Sequence, residues 1–183
     1  MSNSSNHLTE RYIDFIKAQS LFFVATAAAD GRVNVSPKGM DTLRILGDDR
    51  IAWLNLSGSG NETAAHLAEH DRITLMFCAL EGRALIVRVY GNAKVIHPRN
   101  PEWDDLIGLF PAMPGSRQII DIRVSHAQQS CGTGVPRYSL VEERGPDELL
   151  PFYDKMGEEG VKNFWAKKNQ TSIDGKPTHI FDE

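Results

Sequence analysis

The chain has 183 residues, 20 Lys+Arg against 24 Asp+Glu, and a formal net charge of -4. That is the length of one domain, and 41% hydrophobic with 24% charged residues is a globular balance that excludes disorder and fibrous repeats. A weakly acidic chain lacks the surplus of Lys and Arg that general nucleic-acid binding requires, although a local pocket can still hold a small anion.

In chain order, residues 1–8 are polar and predict a frayed terminus. Thr9 reads as a helix N-cap, with Leu8 and Ile13 at the two positions of a hydrophobic staple. Tyr12, Ile13, Phe15 and Ile16 then give a short helix its apolar stripe. Leu21 to Ala27 predicts a strand, Asp30-Gly31 a hairpin turn, and Arg32 to Ser36 the alternating partner. Thr42 to Leu46 and Arg50 to Leu56 predict a second hairpin around Gly47-Asp48-Asp49. Glu62 to Glu69 predicts a helix and Arg72 to Ala79 a buried strand. Ala84 to Ile96 predicts a long strand in which Gly91 marks a bulge or a barrel bend.

Pro101 to Leu109 has proline at the first helical position and acidic residues early, as a helix N-terminus prefers. Arg117 to Ala127 predicts a strand, and Tyr138 to Val141 a further short one. Pro146 to Lys168 predicts one or two helices interrupted near Gly157 and Gly160. Hairpin-linked strands with a few short helices make an antiparallel barrel or sandwich, mainly β, in which closure of the sheet removes exposed edges. The expected organisation is a single domain over 1–183, with a C-terminal helical extension from about 146 to 183.

Cys78 lies in the apolar run Leu75 to Ala79 and reads as a buried thiol, whereas Cys131 sits in the loop Ser130-Cys131-Gly132-Thr133-Gly134. Two cysteines do not form a secreted disulfide framework, and the six histidines show no metal-ligand spacing. His66 and His70 read as two positions on one helix face. No apolar run reaches the ~18 residues of a membrane span, and Glu10 and Asp14 ahead of Leu21 to Ala29 argue against a leader peptide. The expected setting is cytoplasmic, without a membrane.

Two further loops bear on chemistry. Leu56-Ser57-Gly58-Ser59-Gly60-Asn61-Glu62-Thr63 sits at a strand-to-helix junction, where loop amides and a helix N-terminus together attract anions. Hydroxyls of Ser57, Ser59 and Thr63 add donors for phosphate oxygens. The same stretch also reads as an ordinary capped turn, with Ser59 and Glu62 at capping-box spacing. Val35-Ser36-Pro37-Lys38-Gly39 ends a strand; Pro37 marks an edge, and Lys38 reads either as a solvated loop lysine or as a cation for an anionic group. Arg88 is a charge in an otherwise apolar strand, at a rim or paired with an anion.

The order of these segments resembles the pyridoxamine 5'-phosphate oxidase-related proteins, the FMN-binding split barrels. The residues that carry the resemblance are Asn34 to Gly39, Trp53-Leu54-Asn55-Leu56 into Ser57 to Thr63, Arg72 to Phe77, Arg88-Val89-Tyr90-Gly91-Asn92-Ala93, Ser130-Cys131-Gly132 to Val135-Pro136, and Lys168 to Gly175. The resemblance spans about residues 8 to 178. It implies a six-stranded split barrel, a homodimer, and FMN held in the subunit clefts. Val35, Ser36, Pro37 and Lys38 would face the isoalloxazine ring. Ser57, Ser59, Asn61, Glu62 and Thr63 would grip the phosphate, with Lys38 or Arg88 as counter-charges.

The chain departs from the family pattern in two places. Asn61-Glu62-Thr63 stands where the oxidase has a Ser-Arg-Lys signature that binds the FMN phosphate, and no arginine follows Arg144 to hold a substrate phosphate. The implied function is therefore an FMN-dependent oxidoreductase whose small-molecule substrate is other than pyridoxamine 5'-phosphate. A non-catalytic flavin carrier or sensor, a deazaflavin-using relative, and a flavin-free module holding another anion are the rival readings.

Overall fold

A computed structural model describes residues 4–182. In chain order the elements are β1 (Ser4–Ser5), α1 (Glu10–Lys17), β2 (Phe22–Thr26), β3 (Asn34–Lys38), β4 (Leu43–Ile45), β5 (Arg50–Leu56), α2 (Glu62–Glu69), β6 (Arg72–Cys78), β7 (Ile86–Ile96), α3 (Trp103–Ile107), β8 (Ser116–Ser130) and α4 (Leu150–Lys168), the last preceded by a π-helical turn at Gly145–Leu149.

Alternation sets the sheet. In β2, Phe22, Val24 and Thr26 are buried, while Phe23 and Ala25 face the other way. The strands form one antiparallel sheet in the order β3-β2-β6-β7-β8-β5-β4, with β1 added to β8. The sheet curls into a half-barrel around Trp53, Leu75, Phe77, Val89 and Ile120. It remains open between β3 and β4, so the expected closure gives way to a split barrel with two edges. The described residues hold eight strands rather than six, because the two-residue β1 and three-residue β4 are added.

Gly91 does mark a bulge. The β7–β8 register slips between Tyr90 and Gly91, and a Cβ there would lie 2.3 Å from the Arg123 carbonyl oxygen. Thr9 caps α1, its hydroxyl accepting from the Tyr12 amide, and Leu8 is buried beneath it. Residues 4–8 are therefore not frayed: Ser4 and Ser5 pair with β8, and the Leu8 amide donates to the Asp48 carbonyl. Residues 1–3 of that expected frayed stretch lie outside the described residues. α4 breaks at Gly157, whose φ of 68° suits glycine.

Tyr138 to Val141 forms no strand. It is an exposed strap held by two bonds, the Tyr138 amide to the Leu80 carbonyl and the Leu140 amide to the Glu81 carboxylate. No helix among the described residues is long and apolar enough to cross a membrane.

Candidate functional site

The edge strand β3 divides its residues between two faces. Lys38, Ser36 and Asn34 pair with Phe22, Val24 and Thr26, whose side chains are buried, so they belong to the core face. Val35 and Pro37 point outward and are exposed. The four β3 residues expected around one ring thus fall on opposite faces of the strand.

Lys38 is not a solvated lysine. Its ammonium lies 5.1 Å from the centroid of the buried Trp53 ring. No carboxylate pairs with it among the described residues. Burial, and then the nearby Arg117 charge, push its pKa from 10.5 down to about 8. Lys38 also lines a cleft of about 1040 Å³, bounded by Pro37 to Met40, Cys78 to Gly82 and the strap from Tyr138 to Gly145. That volume is at the upper end of the roughly 300–1,000 Å³ usual for small-molecule sites.

Arg117 is the residue that sequence reasoning missed. Its place in the sequence assigns it no role beyond the start of a strand; it is the second residue of β8, and only 3% of it is exposed. Its Nη1 donates to the Gly60 carbonyl at 3.0 Å and to Asn169 Oδ1 at 2.8 Å, and its Nε has no partner. Burial pulls its pKa from 12.5 down to about 10.

The Ser57–Thr63 corner is engaged by the C-terminal segment. Trp165 Nε1 donates to Ser57 Oγ at 2.7 Å, and Ser57 Oγ donates to the Gly115 carbonyl. Asn61 Nδ2 donates to the Asn169 carbonyl, and Asn169 Nδ2 donates to the Gly58 carbonyl. The expected capping box is absent: the N-cap is Asn61 and makes no side-chain cap bond. Glu62 instead accepts from the Ile173 amide at 3.0 and 3.2 Å, because the tail brings an unpaired donor within reach. Thr63 Oγ1 accepts from Asn34 Nδ2, while Ser59 is exposed and makes no side-chain hydrogen bond among the described residues. Trp53 and Trp165 are both buried in apolar clusters.

Arg88 does not join Lys38. It pairs with Met76, which pairs with Phe23 and so with Pro37, on the face opposite Lys38. Three strand spacings, roughly 14 Å, separate the two strands. Arg88 Nη1 donates to Ser130 Oγ at 2.9 Å. One chain therefore does not bring Arg88 and Lys38 to a single phosphate.

Cys78 is half-buried at the cleft rather than deep in the core, and burial raises its pKa. Cys131 is exposed, and hydrogen bonds from the Thr133 hydroxyl and amide lower its pKa. His66 is buried against Thr26, whereas His70 is the exposed C-cap residue that ends the helix. Among the described residues no group of His, Cys, Asp or Glu is arranged to hold a metal.

A split antiparallel half-barrel with a cleft at its open edge, lined by Lys38 and by Glu81, Glu142 and Glu143, defines the class. Residues 8–131 match the family model described as pyridoxamine 5'-phosphate oxidase. The chain is 30% identical over 186 residues to the pyridoxamine 5'-phosphate oxidase family protein ustO of Aspergillus flavus, covering 93% of this chain and 75% of that one. This chain belongs to the pyridoxamine 5'-phosphate oxidase family. Solved structures share the fold. A Lactobacillus delbrueckii protein with a pyridoxamine 5'-phosphate oxidase assignment superposes with a TM-score of 0.55 at 18% identity, over 67% of this chain and 94% of that one. A variant of HupZ from Group A Streptococcus gives 0.52 at 21% identity, over 67% and 99%.

Proposed function

We propose that this chain binds FMN at the open edge of the half-barrel and is an oxidoreductase acting on a small molecule. The carrying observation is Lys38: a core-facing cation with no ion-pair partner among the described residues, on a cleft that is large enough for a flavin and also lined by Glu81, Glu142 and Glu143. An unpaired buried charge is costly, and a phosphate dianion offsets that cost. Family membership supports FMN as the source of the phosphate.

Bound flavin supplies hydride or electron transfer; the protein supplies binding, orientation and electrostatics. Trp53 holds the Lys38 ammonium in place through its ring face. Ser36 and Lys38 present polar groups from the core face of β3, and Ser59 offers a free hydroxyl above the loop. The strap from Tyr138 to Gly145 lines one side of the cleft. Glu62, turned to the Ile173 amide, is kept from repelling an anion at the loop.

The outward face of β3 and its neighbours supports a homodimer. Val33 and Val35 are 71% and 61% exposed, and Pro37, Phe23 and Met76 form one row beside them. A second copy of this chain is the expected cover. Free thiols at Cys78 and Cys131 accord with a cytoplasmic setting.

The test is the visible spectrum of the purified chain, then anaerobic mixing with NADPH, NADH or a reduced deazaflavin. A flavin spectrum that bleaches with one donor supports the oxidoreductase reading. Bound flavin that no donor reduces makes the chain a carrier, and failure to bind added FMN defeats the reading altogether.

A further inference from the structure

We infer that Arg117 is the specificity-determining cation for the phosphate of the bound flavin nucleotide, supplying from β8 a positive charge that Asn61-Glu62-Thr63 lacks. This rests on the FMN reading above and names the residue that makes FMN, rather than riboflavin, the ligand.

Arg117 has a bland role as well: it ties the Gly60 carbonyl to Asn169. That role leaves two facts unexplained. Both partners are neutral oxygens reached through Nη1 alone, so a neutral amide side chain suffices for them. The buried Nε has no partner. A guanidinium carries five N–H donors in a planar fork that matches phosphate oxygens. An arginine 3% exposed without a carboxylate is an incomplete ion pair.

Glu81, Glu142 and Glu143 line the cleft beside Lys38, but among the described residues none of them pairs with Lys38 or Arg117. Lys38 is near enough for the two cations to repel, and no acidic group among the described residues offsets either one. Tyr153 faces Arg117 with its phenol held neutral, since burial raises its pKa. The Glu62 carboxylate is committed to the Ile173 amide. Among the described residues, the amides of Gly58, Ser59 and Gly60 donate to no protein acceptor, and these lie in the loop whose Gly60 carbonyl Arg117 holds. Loop amides, an exposed hydroxyl and two interior cations together suit a phosphate monoester, whose planar, charge-assisted contacts favour arginine.

The experiment titrates the purified full-length chain with FMN and, separately, with riboflavin, following flavin fluorescence, for the wild type, Arg117→Gln and Arg117→Lys. The wild type is expected to prefer FMN. Arg117→Gln should reduce that preference by roughly 10- to 100-fold, the effect of losing charged hydrogen bonds, with riboflavin affinity unchanged. Arg117→Lys should restore part of it. A wild-type preference retained in folded Arg117→Gln overturns the inference and leaves the FMN reading standing. Equal wild-type affinity for the two flavins also overturns it. A wild type that binds neither removes the FMN reading itself. Because Arg117→Gln risks misfolding, a wild-type measurement stands beside it: the Arg117 Nε–H resonance, identified by its loss in Arg117→Lys, should shift with FMN and not with riboflavin. A resonance unmoved by FMN defeats the inference.

Discussion

The molecule treats its cations in two ways. Around the C-terminal tail they are matched: Lys176 reaches Asp30 and Glu69 at 2.6 and 2.7 Å, Arg32 pairs with Asp174, and Arg99 donates to the His179 and Ile180 carbonyls. At the open edge of the half-barrel, Lys38 and the buried Arg117 have no carboxylate partner among the described residues. The first group holds chain to chain with partners already present. On the proposed reading, the second is complete only when something anionic joins it, and charge pairing separates residues that serve the fold from residues that serve a ligand.

The largest expected effect tests whether the tail is structural. Trp165 is 9% exposed, packs with Tyr153, Val161 and Ile180, and donates to Ser57. Trp165→Ala should cost about 3–5 kcal/mol of stability in urea unfolding. A loss below about 1 kcal/mol would mean that the tail is an ornament.

Next, Lys38→Met should weaken FMN binding by roughly 10- to 100-fold while leaving the flavin-free fold no less stable, since it removes an unpaired interior charge. Unchanged FMN affinity would place Lys38 with the matched cations. The same residue sets a pH dependence. Its pKa is about 8 in the fold against 10.5 ordinarily, so between these values the unfolded chain binds more protons. The flavin-free fold should therefore gain stability as pH rises from 8 to 10.5, by at most about 3 kcal/mol, while FMN binding weakens above pH 8. Thermal melts across that range should show the gain in the wild type and not in Lys38→Met.

Lys176→Met should lower stability only slightly in the same unfolding assay, far less than Trp165→Ala, because Asp30 and Glu69 are solvent-accessible partners. The smallest effect belongs to Cys131→Ser. The thiol is exposed and its bonds stay within its own loop, so FMN titration should give the wild-type affinity.

Much of the fold was legible locally. Arg50 to Leu56 and Glu62 to Glu69 appear where their patterns place them, and Gly91 bends its strand as a glycine inside an apolar run predicts. The surroundings of the candidate site residues were less legible. Lys38 ends an edge strand, and nothing local says that its core-facing side chain finds a tryptophan beneath it. Ser59 and Glu62 have capping-box spacing, yet the Ile173 amide, 111 residues away, takes the carboxylate. Arg117 stands at the start of a strand, where a charge ordinarily points to water.

From the residues alone came most of the strands, the helices and the class of fold, because periodicity and turn chemistry act over a few neighbours. Tertiary structure alone decided which charges are buried, which face Arg88 takes, and how the tail occupies the Ser57–Thr63 loop. Burial and pairing are properties of the folded surroundings, and contacts between residues more than a hundred positions apart leave no local pattern to read.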